Sequence, residues 1–450
     1  MSKPAIIVFT RDLRIRDNPA LVEAVSTKRP LCALFVFDDM IIKKKNLSSN
    51  RMVFLIDSLK DLELSLKKLG VDLIFRRGNW VEEITKLAKE INAEQIHISA
   101  DFSLIAKKRQ EVLSKSGYLN GFKVFQHQGI SVLEPGFVTP TDGSEYKIFT
   151  PYYRRWVKAS WRKALEAPDS IRGIPIEKNG IHIFEEFKTK NFSPNLLKGG
   201  ESEGIVRLND WMAKELGSYQ KGRDDIKGDR TSRLSPYLHL GCISPLEVAL
   251  QALKLGGDAF VRQLCWRDFY LQILDQRPDV SRNDYRDRKY KWNQDLELLT
   301  LWKKGQTGFP MVDAGMRQLL SEGFMHGRVR MVVASFLTKD LHIDWREGSQ
   351  HFMNYLVDGD IASNQLNWQW VAGTGTDSNP HRIFNPTRQS QKFDTDGKYI
   401  RRWVPELKDV DSKEIHEPSS EIRLEKKYPK PIVDHHEAIA IYKSKYSGSR

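Results

Sequence analysis

At 450 residues the chain is long enough for two or three domains and a large apolar core, so it needs no disulfide scaffold. A net charge of +13, from 71 Lys and Arg against 58 Asp and Glu, either favours a polyanionic partner or serves solubility alone. The three cysteines (Cys32, Cys242, Cys265) show no C-x-x-C spacing, no apolar run reaches membrane-span length and the N-terminus lacks a secretory h-region, which excludes zinc-finger, transmembrane and signal-peptide readings. The expectation is a soluble cytoplasmic protein with no metal and no membrane partner.

In chain order, β-rich runs at 5–9, 31–37, 71–76, 95–99 and 122–126 alternate with helical patterns at 50–69, 80–91 and 102–114. That alternation predicts an α/β domain over residues 1–128, Rossmann-like, with a doubly wound parallel sheet. No G-x-G-x-x-G follows the first strand, which speaks against a dinucleotide on that turn. In its place stands T-R-D-L-R, whose Arg11 and Arg14 flank Asp12 where such sheets bind ligands; a surface ion-pair cluster is the alternative. Gly, Pro and Ser recur over 129–203, predicting a linker that wraps between domains, interrupted by an aromatic and basic helical piece at 147–165. From 204 to about 430 helical patterns dominate, predicting an all-α domain, and 431–450 reads as a tail, frayed in S-K-Y-S-G-S-R.

The helical half holds the residues with chemistry in them. In D-R-T-S-R-L-S-P, Thr231, Ser232 and Ser235 precede an apolar helix, as a diphosphate cradle or an ordinary cap would. Gln263, Trp266 and Tyr270 share one helical face, either a pocket wall that stacks and hydrogen-bonds a ring or plain core. The stretch from Met325 to Trp370 concentrates Arg328, Arg330, Trp345, Asp358, Asp360, Trp368 and Trp370. Two carboxylates at D-G-D require partners if buried, and Arg330 is a candidate for one. A glycosidase pair or a divalent metal site is disfavoured, because no further acidic or histidine ligands cluster at matching spacing.

The segments T-S-R-L-S-P, Q-L-C-W-R-D-F-Y, T-G-F-P-M-V-D-A-G-M-R-Q-L, D-W-R-E-G, D-G-D-I-A-S-N, N-W-Q-W-V-A-G-T-G-T-D and R-I-F-N-P together resemble the photolyase/cryptochrome family, over about residues 4–440. The closest resemblance is to class I enzymes acting on cyclobutane pyrimidine dimers. It implies an antenna domain followed by a helical domain that binds FAD and DNA, and blue-light-driven repair by electron transfer from reduced FAD. Matched by motif, Tyr219, Thr231, Ser232, Arg233, Leu234, Ser235, Arg330, Asp358, Gly359, Asp360 and Asn364 would hold FAD. Trp302, Trp345 and Trp368 would form an electron-transfer chain to the surface, and Asn364, Gln263 and Met331 would serve catalysis. Arg223, Gln263, Trp266, Arg267, Tyr270, Gly327, Arg328, Trp370 and Gln389 would meet damaged DNA, single- or double-stranded, by a monomeric enzyme.

Class I enzymes usually carry Glu at Gln263 and Asn at Gly327, and (6-4) photoproduct enzymes carry His at both Gly327 and Met331. The resemblance therefore implies dimer repair, with a cryptochrome-type photoreceptor lacking repair and a dark redox flavoprotein as competing readings. For a second, antenna chromophore, Ile105 and Ala106 replace the folate-binding Asn-Glu pair. Asp38–Met40 and Asn50–Leu59 look like deazaflavin- or flavin-type sites, filled or empty.

Overall fold

The computed structural model describes residues 2–43, 48–175 and 179–446. Five strands, β1 (Ala5–Phe9), β2 (Leu31–Asp38), β3 (Leu73–Gly78), β4 (Gln95–Ser99) and β5 (Lys123–His127), form one sheet in the order β3-β2-β1-β4-β5. Every neighbouring pair is parallel, in registers such as Ala5 with Leu31 and Ala5 with Gln95. β1 and β2 are buried at every position, as the strands of a sheet covered on both faces must be. The expected α/β region with a parallel sheet is thus present.

The helices among these strands start and stop on local signals. Helix α1 (Pro19–Ser26), not anticipated from periodicity, is only eight residues long and is set by Asn18, whose side chain accepts from Leu21 N, and by Pro19 at its first position. Helix α2 (Ser49–Leu69) ends at Gly70, with φ of 100°. Val71 N still donates to Leu66 O, so its amide belongs to the helix cap and β3 starts two residues later than its apolar run suggests. Helices α3 (Trp80–Glu90) and α4 (Leu104–Asn120) complete this region, and α5 (Phe149–Trp156) fills part of the expected helical piece.

By contacts the chain forms two compact units. Unit 1 comprises residues up to Phe192, Leu197–Gly217 and Ser232–Pro278, so α6 (Glu201–Glu215), α7 (Pro245–Lys254) and α8 (Asp258–Gln276) belong to the same unit as the sheet. Buried polar groups bolt these pieces together. Arg14, fully buried, donates to the carbonyls of Arg16, Asp17, Gly129 and Gly241, while Asp12 accepts from Thr10 N and Ser99 Oγ. T-R-D-L-R is therefore an internal clamp, not a surface ion-pair cluster. Glu201 accepts from the amides of Ile15 and Arg16, and burial pushes its carboxyl up to about 7. Asp268 accepts from Val132 N, Leu133 N and Trp156 Nε1.

Unit 2 comprises Ser193–Leu196, Ser218–Thr231 and everything from Asp279. Its helices of eight or more residues, among the described residues, are α9 (Leu296–Lys304), α10 (Pro310–Glu322), α11 (Gly327–Ser335), α12 (Trp345–Tyr355), α13 (Ile361–Ala372), α14 (Pro386–Phe393) and α15 (His435–Tyr446). They enclose an apolar cluster that includes Trp302, Val333, Phe336, Trp345, Phe352 and Trp368. A π-helical turn, Phe336–Asp340, follows α11 directly and is wholly buried. The segment expected to be a tail forms α15, with Tyr442 fully buried; residues 447–450 of the expected frayed end lie outside the described residues.

Gly348 on α12 shows how tightly this core closes, since a Cβ there would overlap the ring of Trp368 and the side chain of Leu337. Gly348→Ala is expected to lower stability by about 1–3 kcal/mol through overpacking, read from urea unfolding. An unchanged unfolding midpoint would show that the ring has room to move.

Candidate functional site

The residues expected to act together fall into one group in each unit. In unit 1, Gln263, Trp266, Arg267 and Tyr270 lie on α8, where the helical period puts Gln263, Trp266 and Tyr270 on one face. Trp266 stacks on Phe149 with ring centres 3.7 Å apart and an interplanar angle of 8°, and stays partly exposed beside a partly buried Gln263. A flat aromatic next to an amide is a surface for stacking and hydrogen-bonding a base. Arg267 departs from expectation: its guanidinium is turned inward, donating to the carbonyls of Ile130 and Leu238, and it ties loops of unit 1 instead of offering itself to a phosphate. The hydroxyl loop crosses from unit 2 to unit 1 between Thr231 and Ser232. Arg233 takes a left-handed φ of 50°, Leu234 N donates to Ser232 Oγ, and a helix of six residues starts at Ser235.

In unit 2 the D-G-D segment ends at the start of α13. Arg330 donates to Asp358 Oδ2 at 2.9 Å and to Met325 O at 2.8 Å, and its guanidinium lies over the Phe324 ring. Asp358 and Asp360 are both buried; Asp360 caps α13 by accepting from Ser363 N. One turn further, Asn364 donates through Nδ2 to Ser349 O (3.1 Å) and Gln365 Oε1 (2.9 Å), which fixes its amide with Oδ1 as the acceptor atom. Two carboxylates and an amide oxygen are acceptors suited to the N–H and hydroxyl groups of a flavin and its ribityl and adenine parts. This acceptor set fits FAD, and Tyr219, Asp224 and Thr231 belong to the same unit.

Trp368, another turn along α13, is 3% exposed and meets Trp302 at 6.1 Å and Phe352 at 4.9 Å between ring centres. Trp345 donates from Nε1 to Asp284 and carries the Arg346 guanidinium over its ring. Trp302, expected at the surface end of the chain of tryptophans, is 0% exposed, with Nε1 bound to Val333 O. It is a core residue beside Trp368 and cannot be an exit to solvent. Trp292, which the sequence reading passed over, is partly exposed and packs against the same apolar cluster. Its neighbour Asn293 donates from the backbone to His342 O and from Nδ2 to Leu341 O, holding Trp292 alongside the segment that begins α12 with Trp345. An isolated tryptophan in a loop carries no periodic signal, and only these backbone pairings single it out.

Of the remaining expected residues, Arg328 is paired with Asp224 (2.8 Å) and lies over Phe393, with a fifth of its side chain exposed. Arg223 is more open, at 40%. Trp370 has the Arg382 guanidinium over its ring, Met331 packs at the rim of the core, and Gln389 Oε1 is buried without a hydrogen bond. Gly327 begins α11, and open space surrounds the place where a side chain would project. His326, left out of the expected set, caps α11 by accepting Arg328 N at Nδ1; Nε2 is buried without a partner, and burial holds the ring's pKa down at about 4.

Comparison with known proteins completes the assignment. Residues 5–169 match the family model described as DNA photolyase, and residues 260–448 the one described as FAD binding domain of DNA photolyase. A Streptomyces griseus protein named deoxyribodipyrimidine photo-lyase is 44% identical over 444 residues, covering 97% of each chain. A bacterial class III photolyase structure from Agrobacterium tumefaciens is similar with a TM-score of 0.93 and 33% identity, covering 100% of this chain and 98% of that one. A Synechocystis cryptochrome structure is similar with a TM-score of 0.91 and 29% identity, covering 99% of each. The chain belongs to the DNA photolyase family and contains that family's FAD-binding domain.

Proposed function

We propose that this protein is a deoxyribodipyrimidine photo-lyase, repairing cyclobutane pyrimidine dimers in DNA under blue light. The observation that carries the reading is the buried acceptor set of Asp358, Asp360 and Asn364, with Arg330 paired to Asp358, one turn from the buried Trp368 ring. FAD, when bound, supplies the electron that light delivers to the dimer and receives it back once the ring has opened. The chain's own residues bind and orient. Arg330 neutralises Asp358 and Asn364 would present Oδ1 to a ring N–H; Tyr219 and Thr231 in unit 2, and Ser232, Arg233, Leu234 and Ser235 in unit 1, are the residues that would hold the phosphates and neighbouring groups.

In unit 1, Trp266 would stack on a base and Gln263 would donate to a pyrimidine carbonyl; in unit 2, Trp370 would offer a second aromatic face, and Arg223 and Arg328 would contact backbone phosphates without reading sequence. Trp368 and Trp345 carry electrons inward, with Trp292 as their contact with solvent. A second chromophore of flavin or deazaflavin type fits the carboxyl end of the sheet in unit 1, where Arg109 lies over the Trp80 ring and pairs with Asp38. The protein acts as a monomer in the cytoplasm, a reading that its three buried thiols suit.

The test is direct. Photoreduced protein, given an oligonucleotide with one thymine dimer and illuminated with blue light, is expected to restore thymine absorbance; intact flavin photoreduction without restoration would sink the repair assignment. That second outcome would favour a photoreceptor, which the cryptochrome-like fold and the absence of side chains at Gly327 support as the alternative. Trp292→Phe is expected to slow flavin photoreduction by an external donor while prereduced protein repairs at the parental rate. Equal photoreduction rates in the variant and the parent would remove Trp292 from the route.

A further inference from the structure

We propose that Tyr442 and Tyr290, with Lys339 as proton acceptor, form a redox-active tyrosine site that takes the oxidising equivalent from Trp292. The proposal rests on the tryptophan route above. All of its members lie in unit 2.

The rings are arranged as a relay leading away from Trp292. Trp292 and Tyr290 meet edge to face with centres 5.2 Å apart. Tyr290 and Tyr442 follow at 6.3 Å, with their hydroxyl oxygens 3.3 Å apart in a buried setting. Tyr442, on α15, is completely buried and Tyr290 is 9% exposed. Burial raises the Tyr290 pKa, so its phenol is protonated at neutral pH and loses an electron readily only if its proton has somewhere to go.

Lys339, in the π-helical turn, provides that destination. It is 0% exposed, and no carboxylate pairs with it among the described residues. Its Nζ lies 2.7 Å from Ala372 O, 3.2 Å from Pro380 O and 2.6 Å from Tyr442 Oη. Two carbonyls accept from Nζ, and as an ammonium it donates its third N–H to Tyr442 Oη; once that proton has gone, the same contact leaves the amine within reach of the phenolic proton. Burial lowers the Lys339 pKa to about 7, so the neutral amine is well populated. A structural lysine would need only the ammonium; the match of two acceptors and one hydroxyl serves both protonation states.

The step balances. The Trp292 radical cation takes one electron from the tyrosine pair and returns to neutral tryptophan. Tyr442 passes its phenolic proton to Lys339 Nζ, leaving a neutral tyrosyl radical and an ammonium held by two carbonyls, and Tyr290 relays the electron. The oxidant is the photoexcited flavin acting through the tryptophans. His381, whose Nδ1 lies 3.3 Å from Tyr442 Oη and which is partly exposed, faces the same hydroxyl at longer range.

The test uses the full-length FAD-loaded protein in two arms. In the dark arm, azidyl radicals from pulse radiolysis oxidise exposed tryptophan, and the decay of the tryptophyl absorption into a tyrosyl signal is followed together with its EPR spectrum. The expected result is a concentration-independent transfer, slower in deuterated water, that is lost in Tyr442→Phe and in Tyr290→Phe, each of which keeps the ring. Lys339→Met is expected to lose the isotope effect with the transfer, and the Tyr variants keep the test valid should that one fail to fold. In the light arm a blue flash replaces the radiolysis. Transfer of equal yield in parent, Tyr442→Phe and Tyr290→Phe overturns the proposal, as does a parent that forms tryptophyl radical and no tyrosyl. Loss confined to the dark arm's Tyr variants, with a silent light arm, upholds the tyrosine site and counts against the tryptophan route.

Discussion

Arg330→Met is expected to strip most FAD from the purified protein and to lower its stability by about 3–5 kcal/mol, because it removes the guanidinium paired with the buried Asp358 carboxylate. Asp358 is 4% exposed at the side chain against 26% for Arg330, so the carboxylate bears the desolvation once the guanidinium has gone. A methionine of similar length fills the space beside Phe324 but cannot donate to Met325 O. The double variant Arg330→Met, Asp358→Leu separates the two consequences. Removing both charges is expected to restore most of the stability while flavin stays lost, since the acceptor is missing. Flavin absorbance per protein and urea unfolding are the measurements. Full flavin occupancy in the single variant would show that the pair is structural only.

Acidification is expected to act most strongly through His351, in the direction set by a depressed pKa. The ring is 6% exposed, packed edge to face on Trp302 at 5.6 Å, and desolvation holds its pKa down at about 3, against 6.5 for an ordinary histidine. Such a group contributes stability that is fully present above pH 6.5 and is lost as pH falls toward the folded value. By pH 4 the loss is about 3 kcal/mol, at 1.36 kcal/mol per unit. Buried carboxyls oppose it: Asp268 and Asp340 are raised to about 6, and what they contribute is lost as pH rises instead. The parent's profile therefore sums opposed contributions, and the variant removes one of them. His351→Phe keeps an aromatic in place and is expected to gain about 3 kcal/mol on the parent between pH 7 and pH 4. A difference that does not change with pH would mean that His351 titrates as it does in water.

Much of this was readable from residues alone, and what was not has a common cause. Strands such as Ala5–Phe9 and Leu31–Asp38 announce themselves because parallel strands buried on both faces read as near-continuous apolar runs. The carboxylate pair at Asp358 and Asp360 was legible, since buried charges demand partners and Arg330 stood within reach. The inward turn of Arg267 was not, because a surface arginine and one bonded to the carbonyls of Ile130 and Leu238 look alike in a helical pattern. Trp302 and Trp292 exchanged places for a similar reason: exposure depends on which distant elements cover a ring, and local sequence does not carry it. The expected tail became α15 because Tyr442 finds a buried partner in Lys339, about a hundred residues upstream.

The clamp at Arg14 has a consequence for how the molecule is made. Its guanidinium binds Gly241 O, and Asp17 beside it accepts from Ser244 Oγ, so the first strand's turn is completed by residues more than two hundred positions downstream. A ribosome adding roughly 5–20 residues each second exposes β1 many seconds before its partners exist. Until Gly241 and Ser244 have been synthesised, the buried Arg14 and Asp17 each lack one of their hydrogen-bond partners. A gene fragment cut in the Gly- and Ser-rich stretch near residue 200 would yield an unfinished unit 1, and no single break separates the two units, because residues 193–196 and 218–231 of unit 2 interrupt the sequence of unit 1.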